Sequence, residues 1–458
     1  PAVRAVDLRI EPSPLGRVQR KMSIPRTLSA FVLLIGTVGT TAAQSVYYPP
    51  LVGNTWETID PASLGWCTDE LPALLDFLDS TNTKAFLVLK DGRIVLEHYF
   101  GTFTADSSWY WASAGKSLTA FLVGLAQQQG HLDIDEPSST YLGAGWTSCT
   151  PEQEAAITIR DQMAMITGLD DTDGQFDCTD PACLTYLTDP GTRWSYYNAP
   201  YTLLDGVLEG ATGQTLNSYV FSNLTATTGI TGLFVQVGYN NVFFSRARSM
   251  ARFGLLALSG GSWNGTPILT DAAYFQDMVS PSQSLNEAYG YLWWLNGQES
   301  FMLPGLQLVL PGPLMPNAPQ DCYNAMGKNG QLINVSPGTG LVVVRMGELP
   351  TEDIFVPNLY NDQIWQYLNA VMCGATGAQD EATPRMELFP NPSRYRVDVH
   401  VGQGSGEITV RDGSGRIVLT QQTSSDRIGL DVSGLASGCY TVAFSGESGA
   451  TTVRFVKE

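Results

Sequence analysis

Strand patterns stand at both ends of a long segment whose middle has helical patterns. Residues 84–99, KAFLVLKDGRIVLEHY, form two apolar runs around an Asp-Gly pair, which is a strong signal for a β-hairpin. Much later, residues 341–346, LVVVRM, are apolar except for Arg345 and predict a buried strand. Residues 113–129 have helical spacing, and residues 359–372 predict a closing helix. This order predicts an α+β domain, in which distant segments build one antiparallel sheet flanked by helices, with a helical region inserted.

The composition limits the classes of protein to which the chain can belong. The 458 residues are 43% hydrophobic and 15% charged, which is typical of a globular protein with a large core and room for two domains. Acidic residues number 44 against 25 basic ones, a formal net charge of -19. Because nucleic-acid binding depends on Lys and Arg that neutralise phosphates, we expect no nucleic-acid partner.

The start of the chain has the pattern of a bacterial export signal. A basic stretch, KMSIPR at residues 21–26, precedes an apolar run at residues 30–36, and small residues lead up to Ala43. This pattern predicts upstream residues and a signal peptide over residues 1–43, too short to span a membrane. No other segment has 18 uninterrupted apolar residues, so we expect no transmembrane segment in the mature chain.

Export changes how the seven cysteines are interpreted, because an oxidising compartment permits disulfides. Cys178 and Cys183 bracket a short Asp-rich loop and could pair locally. Four others could form two longer bridges whose connectivity the sequence does not assign: Cys67, Cys149, Cys322 and Cys373. Cys439 is left over in a different part of the chain. The absence of any C-x-x-C and the presence of only three histidines argue against a metal site.

The composition changes after Cys373. A small, polar and proline-bearing stretch has the character of a linker, and short alternating strands with glycine turns follow it. Those strands predict a small all-β sandwich. The predicted strands cover residues 397–401, 407–410, 416–419, 439–442 and 453–456. The predicted division is a large α+β domain over residues 44–375, a linker over residues 376–386 and the sandwich over residues 387–458.

The sandwich carries a recognisable set of short motifs. FPNP at residues 389–392, DGSGR at 412–416, LASGCY at 435–440 and a last strand at 453–457 occur in this order. The order and spacing resemble the C-terminal sorting domain of type IX secretion cargo. The resemblance implies a secreted or cell-surface protein that is exported through the periplasm, handled by the type IX machinery and separated from its tail. The alternative is a carbohydrate-binding or adhesive sandwich.

The segment at residues 111–120, WASAGKSLTA, can be compared with two motifs of different function. A phosphate-binding loop requires G-x-x-x-x-G-K-[ST], but Tyr110 occupies the position of the first glycine. An acylating serine requires Ser113 near the start of a helix with Lys116 one turn later, because residues at i and i+3 share a helix face. The second interpretation fits the sequence better.

A serine nucleophile needs a group that takes its proton. His98 and His131 lie in the predicted hairpin and in a turn, where structural roles are favoured, so a mechanism without histidine is the one to test. Lysine and tyrosine can serve if each depresses the pKa of the other and if burial at a helix start lowers that of the amine. Among three Tyr-x-Asn triplets, the one at Tyr196 lies on a loop that leads into a helical run.

Six blocks occur in the order seen in the serine β-lactamase-related hydrolases. They are WASAGKSLTAFLVGLA, ITIRDQMAMITGL, PGTRWSYYNAPYTLLDGVLEGATG, SMARFGLLALSGG, YGYLWW and AMGKNGQLINV. The resemblance spans residues 60–372 and is closest to the 6-aminohexanoate-dimer hydrolase branch; class C β-lactamases, D,D-peptidases and certain esterases share the fold. It implies a β-lactamase/penicillin-binding-protein-like fold and a hydrolase without metal or cofactor.

The resemblance also assigns roles to individual residues. Ser113 becomes the acylating nucleophile and Lys116 its proton-handling neighbour. Tyr196 becomes the general base and later the acid for the leaving group, with Lys116 and Tyr196 acting as a coupled pair. Asn198 is expected to hydrogen-bond the substrate or Lys116.

The third motif of the family, Lys-Thr-Gly or His-x-Gly, is altered here. Ala325-Met326-Gly327 stands in its place, so the cation that helps hold a β-lactam carboxylate is missing. Gly327 is expected to let substrate approach the backbone, and the amides of Ser113 and Lys328 are expected to form the oxyanion hole. The Lys328 side chain either replaces the missing charge or points to solvent.

The combined prediction is a secreted serine hydrolase that forms an acyl-enzyme on Ser113 and cleaves a small ester or amide. Two alternatives stay open. One is a peptidoglycan D,D-peptidase or β-lactamase, against which the missing cation counts. The other is a catalytically silent binding protein on a penicillin-binding-like fold.

Overall fold

The computed structural model describes residues 46–350, 356–373, 387–389, 393–400, 406–412, 416–425, 427–446 and 449–457. The predicted signal peptide, residues 1–43, and the predicted linker, residues 376–386, lie outside these ranges. Within them, no helix combines the length and the apolar character that a membrane crossing requires.

The elements alternate along the chain in a mixed pattern. The described helices are α1 Leu71–Ser80, α2 Gly115–Gln128, α3 Ser139–Leu142, α4 Pro151–Ala155, α5 Ile159–Met163, α6 Asn198–Thr202, α7 Leu204–Thr212, α8 Leu216–Val220, α9 Ala226–Thr228, α10 Ala247–Leu258, α11 Ala272–Met278 and α12 Asn358–Val371. The strands that precede the predicted linker are β1 Thr83–Lys90, β2 Arg93–Tyr99, β3 Ser108–Tyr110, β4 Gly232–Val237, β5 Asn240–Arg246, β6 Ser262–Trp263, β7 Thr266–Pro267, β8 Trp294–Leu295, β9 Ser300–Phe301, β10 Leu310–Pro311, β11 Tyr323–Gly327, β12 Gln331–Ser336 and β13 Leu341–Gly347.

One antiparallel sheet joins the two ends of this region, as the sequence predicts. Its strand order is β2-β1-β13-β12-β11-β8. β1 and β2 form the predicted hairpin, with Asp91 at φ 47° and Gly92 at φ 83° in the tight turn. The predicted strand at residues 341–346 is β13, and Val344 pairs with Leu87 at the centre of β1. The sheet is therefore built from segments that are far apart in the sequence.

Helices cover both faces of the sheet. On one face α10 packs closely against β12 and β13, because a Cβ on Gly254 would lie 2.4 Å from Cγ1 of Val342. The predicted closing helix is α12, which packs with α1. α2 contacts both β11 and α7 and is buried along nearly its whole length. α2 therefore joins the sheet to the inserted helical region and carries the predicted catalytic motif.

The cysteines follow the sequence prediction only in part. Cys178 pairs with Cys183, as the local spacing suggests, and Cys67 pairs with Cys373. Cys149 and Cys322 are free thiols, so these four cysteines form one long bridge where two were expected. The side chain of Cys439 lies outside the described residues.

The tail forms the predicted small β-sandwich. The strands are β14 Glu387–Phe389, β15 Arg396–His400, β16 Gly406–Arg411, β17 Ile417–Thr423, β18 Arg427–Asp431, β19 Gly438–Gly446 and β20 Gly449–Lys457. They form two sheets, with orders β14-β15-β18 and β17-β16-β19-β20. Val399, Ile408, Phe444 and Phe455 belong to the apolar core between the sheets. β14 and β18 are strands that the sequence analysis missed.

Candidate active site

Ser113 lies on a short 3-10 turn, Ala112–Ala114, that leads directly into α2. The residue before this turn fixes it in place: the Trp111 amide donates to the Phe243 carbonyl at 2.8 Å, and its indole Nε1 donates to Ser245 Oγ at 2.7 Å. The predicted helix thus begins two residues later than the sequence suggests, and Ser113 is held at its entrance.

The backbone next to Ser113 is strained. Ala112 has φ 47°, a left-handed conformation that costs energy for a residue with a Cβ. Such strain persists only where the surrounding structure holds the residue, and here the Trp111 contacts do so. The position of the serine hydroxyl is therefore set by its neighbours before any substrate arrives.

Lys116 lies in the first turn of α2, three residues after Ser113. It is only 4% exposed, and its Nζ donates to Ser113 Oγ at 3.3 Å. Nζ also lies 3.8 Å from the ring centroid of Tyr201 and 5.4 Å from that of Tyr196. Burial lowers the pKa of Lys116 to about 7, against an opposing effect of Asp177 and Asp205. At neutral pH a large fraction of this amine is thus uncharged and able to accept a proton.

Tyr196 reaches the same place from the loop that precedes α6. Its ring stacks on Trp294 at a centroid distance of 5.6 Å, and the edge-on Tyr289 ring and the tilted Trp194 ring complete an aromatic wall. Burial raises the pKa of Tyr196, and a hydrogen bond with Ser113 only partly offsets this. The expected mutual depression of the two pKa values is therefore not found: burial lowers the pKa of Lys116, and the phenol of Tyr196 keeps its proton.

Asn198 has a different partner from the two that the sequence analysis considered. Its Nδ2 donates to Asp177 Oδ1 at 2.9 Å. Its Oδ1 is shielded from solvent and has no hydrogen-bond partner among the described residues. The side chain thus uses its donor on Asp177 and leaves its acceptor unpaired.

Gly327, at the end of β11, contacts the turn that carries Ser113. A Cβ at this position would lie 2.4 Å from the Trp111 carbonyl oxygen, 2.8 Å from the Ala114 amide and 3.0 Å from the Ser113 amide. The glycine is therefore required by the protein's own backbone, whereas we expected it to make room for substrate. The next residue, Lys328, has an exposed side chain, which is the solvent-facing outcome of the two that were expected.

The position that carries a cation in the third motif is apolar here. Ala325 is 1% exposed within β11 and offers no charge to a substrate. Among the described residues there is also no cluster of His, Cys, Asp and Glu with the arrangement of a metal site.

Comparison with known families places this geometry in context. Residues 79–353, more than half of the chain, match the beta-lactamase family. The chain belongs to the beta-lactamase family. Residues 387–458 match the secretion system C-terminal sorting domain. This second match identifies the beta-lactamase-family chain as cargo for export by the type IX secretion system, as its tail motifs predict.

Relatives of this beta-lactamase-family chain include named hydrolases. The 6-aminohexanoate-dimer hydrolase of Paenarthrobacter ureafaciens is 23% identical over 331 residues, which cover 62% of this chain and 77% of the relative. A provisionally named 6-aminohexanoate-dimer hydrolase from Bacillus anthracis has a similar solved structure, with a TM-score of 0.53 and 19% identity over 65% of this chain and 81% of that one. The likeness to that structure shows the beta-lactamase/penicillin-binding-protein-like fold.

Three residues of the site were not found by sequence reasoning: Asp177, Tyr201 and Asp205. Tyr201 lies within the helical run after Tyr196, but nothing in its spacing indicates a contact with Lys116. Asp205 follows one turn later, and burial raises the pKa of its carboxyl to about 8. Asp177 belongs to an irregular loop, where residue spacing does not predict contacts.

Proposed function

We propose that this protein is a secreted serine hydrolase that forms an acyl-enzyme on Ser113 and cleaves a small ester or amide. The observation that carries the proposal is the contact between Lys116 Nζ and Ser113 Oγ at 3.3 Å, made by a buried amine whose pKa burial lowers to about 7. A neutral amine within hydrogen-bond reach of a serine hydroxyl is the arrangement that activates such a nucleophile.

In the acylation step, Ser113 Oγ attacks the substrate carbonyl carbon while its proton moves to the neutral Lys116 amine. The carbonyl oxygen gains the negative charge, and the backbone amides of Ser113 and Lys328 stabilise it. The tetrahedral intermediate then collapses and the bond to the leaving group breaks. The leaving oxygen or nitrogen takes a proton from the Tyr196 hydroxyl, which regains one from Lys116.

The roles of Lys116 and Tyr196 follow from the directions in which their pKa values are shifted. The pKa of Lys116 is lowered to about 7, so a large fraction of the amine is neutral at physiological pH, whereas Tyr196 is a phenol with a raised pKa. The amine therefore acts as the base toward Ser113, and the phenol acts as the acid toward the leaving group. In deacylation the protons move in the opposite direction: Tyr196 takes a proton from the attacking water as it passes its own to the neutral Lys116 amine. The bond between the acyl carbon and Ser113 Oγ then breaks, and Lys116 returns the proton to Ser113 Oγ.

Two features favour ordinary esters or amides over β-lactams and peptidoglycan stems. Ala325 supplies no cation for a substrate carboxylate, and the Lys328 side chain is exposed. The relative from Paenarthrobacter ureafaciens is named for an amide, the dimer of 6-aminohexanoate. We propose that this chain cleaves bonds of the same type, in a mature form from which the sorting tail has been removed.

The test compares two chromogenic substrates on the full-length protein and on Ser113→Ala. We expect hydrolysis of p-nitrophenyl butyrate that is lost in Ser113→Ala, together with little cleavage of nitrocefin. Efficient Ser113-dependent nitrocefin cleavage would instead favour a β-lactamase. If Ser113→Ala left the turnover of both substrates unchanged, the proposed nucleophile would be wrong.

A further inference from the structure

The two amides of the proposed oxyanion hole belong to segments of two different sheets. Ser113 follows β3 of the sheet β3-β5-β4, whereas Lys328 follows β11 of the six-stranded sheet. Both residues lie in short turns, Ala112–Ala114 and Lys328–Gly330, and amides at the start of a helical turn have no acceptor within it. An oxyanion needs both donors at hydrogen-bond distance at the same time, so catalysis depends on the spacing between the two turns.

The backbones of the two turns are in close contact beside these amides. A Cβ on Gly327 would lie 3.0 Å from the Ser113 amide nitrogen, and the amide of Lys328 belongs to the next peptide bond after Gly327. Close packing limits how near the turns can come. A directional bond is what limits how far they separate or rotate.

One side-chain hydrogen bond joins the two segments. Asn329 Nδ2 donates to the Tyr110 hydroxyl oxygen at 2.7 Å. Tyr110 is the last residue of β3 and lies three residues before Ser113, while Asn329 directly follows Lys328. The bond therefore ties the residue after one amide donor to the strand that leads into the other.

The backbone conformation of Asn329 explains why an asparagine suits this position. Its φ of 63° lies in the left-handed region, which asparagine tolerates better than most residues with a side chain. Its carbonyl accepts a hydrogen bond from Nη1 of the buried Arg345, which also donates to the Gly330 carbonyl at 3.0 Å. The turn is thus bound to the core through its carbonyls and to β3 through the Asn329 side chain.

Tyr110 is held by contacts that do not involve its hydroxyl. It pairs with Phe244 across β3 and β5, and the centroids of these two rings lie 6.2 Å apart. Its ring centroid also lies 5.3 Å from that of Trp109. Replacement of Tyr110 by phenylalanine therefore keeps the ring packing and removes only the bond to Asn329.

We propose that Tyr110 and Asn329 form a clamp that holds the Ser113 and Lys328 amides at the spacing an oxyanion requires. Both are positioning residues, because each acts through a neighbouring backbone amide and not through contact with substrate. The inference rests on the proposed function and adds two residues to its oxyanion hole. Displacement of a catalytic group by about 1 Å can lower the rate as much as a hundredfold, so a bond that sets this spacing affects catalysis.

The test measures kcat/KM for p-nitrophenyl butyrate in Tyr110→Phe, in Asn329→Gly and in the double variant. Glycine removes the side-chain amide but keeps the left-handed turn. Each single substitution should lower kcat/KM about tenfold relative to the wild type. The double variant should lose no more than either single variant, because each change alone breaks the same bond.

Two results of this cycle would overturn the clamp. One is wild-type kcat/KM in either single variant. The other is an additive loss, in which the double variant falls about a hundredfold because the two residues act independently.

A transition-state analogue separates a role in the oxyanion hole from general structural damage. With propyl trifluoromethyl ketone, Ser113 Oγ bonds to the carbonyl carbon, the serine proton moves to Lys116, and the carbonyl oxygen becomes an oxyanion. Its inhibition constant should rise by the same factor by which kcat/KM falls. An unchanged inhibition constant in variants with lowered kcat/KM would place the loss outside the oxyanion hole and overturn the proposal.

Tyr48→Phe and Asn264→Gly are the matched controls, because they make the same chemical changes outside the candidate site. Tyr48 donates its hydroxyl to Ser259 Oγ at 2.8 Å. Asn264 has φ 47° in the exposed turn between β6 and β7. Both controls should keep the wild-type kcat/KM and inhibition constant. Losses in the controls equal to those in the clamp variants would assign the effect to general damage and overturn the proposal.

The proposed function and the clamp fail in different ways. If the wild type shows no turnover that depends on Ser113, the proposed function fails and the clamp fails with it. If turnover depends on Ser113 but any of the contrary results for Tyr110→Phe and Asn329→Gly is obtained, the clamp alone is overturned.

Discussion

Replacing Lys116 with methionine should stabilise the fold at neutral pH while abolishing catalysis. The folded-state pKa of about 7 lies below the ordinary value of 10.5, so the folded chain binds fewer protons than the unfolded chain between these two pH values. Burial of this amine therefore costs stability. The cost is fully present below about pH 7 and declines as the pH rises toward 10.5.

The magnitude follows from the size of the pKa shift. Lys116 is 4% exposed, so solvent screening does not reduce the effect. At about 1.36 kcal/mol per unit, the penalty at pH 7 is on the order of 4 kcal/mol. Methionine removes this penalty but also loses the contact between the ammonium and the Tyr201 ring, worth about 1 kcal/mol. We expect Lys116→Met to raise the free energy of unfolding by about 3 kcal/mol at pH 7.

Denaturant unfolding at pH 7 and at pH 10 separates this explanation from simple core packing. The stabilisation should fall to below about 1 kcal/mol at pH 10, because the folded-state amine is then neutral and the pH is close to the ordinary amine pKa of 10.5 that applies to the unfolded chain. Lys90→Met is the control: Lys90 is partly exposed and paired with Asp91 at 2.7 Å, so its replacement should change stability by no more than about 1 kcal/mol at either pH. A Lys116→Met variant that is less stable at pH 7, or equally stabilised at both pH values, would refute the reasoning.

Three further changes test other parts of the site and fold. Tyr196→Phe should lower kcat for amides more than for p-nitrophenyl esters, because a nitrogen leaving group needs the proton and nitrophenolate does not; equal losses would contradict the acid role. Gly327→Ala should lower kcat/KM about tenfold or more, because its Cβ would lie 2.4 Å from the Trp111 carbonyl oxygen and displace the turn that carries Ser113. Wild-type kinetics in this variant would show that the turn accommodates the Cβ without harm to the site. Cys67→Ser should lower unfolding stability by about 2–5 kcal/mol through loss of the bridge to Cys373, with an unchanged melting temperature as the contrary result.

The sheet and its hairpin could be predicted because their signals are local. The Asp-Gly turn at residues 91–92 and the apolar run of β13 each specify an element without reference to the rest of the chain. β18, which has a glycine in its centre, and β14, which is only three residues long, gave weaker patterns and were missed. The local Cys178–Cys183 pair follows from its short separation, whereas the pairing of Cys67 depends on how distant segments meet.

In the candidate site, too, the local contacts could be predicted from the sequence and the contacts between distant segments could not. Ser113 and Lys116 are three residues apart at a helix start, so helical geometry alone predicts that they meet. The pKa of Lys116 could not be predicted in full, because its burial depends on what packs over it. Asp177 meets Asn198 through an irregular loop with no periodic pattern, so only the structure reveals that contact.

The central claim is that Ser113 carries an acyl group during turnover. The most direct measurement is acid quenching of the full-length protein during steady-state hydrolysis of p-nitrophenyl butyrate, followed by intact-mass and peptide-mapping mass spectrometry. A butyryl group on the peptide that contains Ser113, absent in Ser113→Ala, is the predicted result. Turnover with no adduct on that peptide, or with an adduct on another residue, would contradict the account.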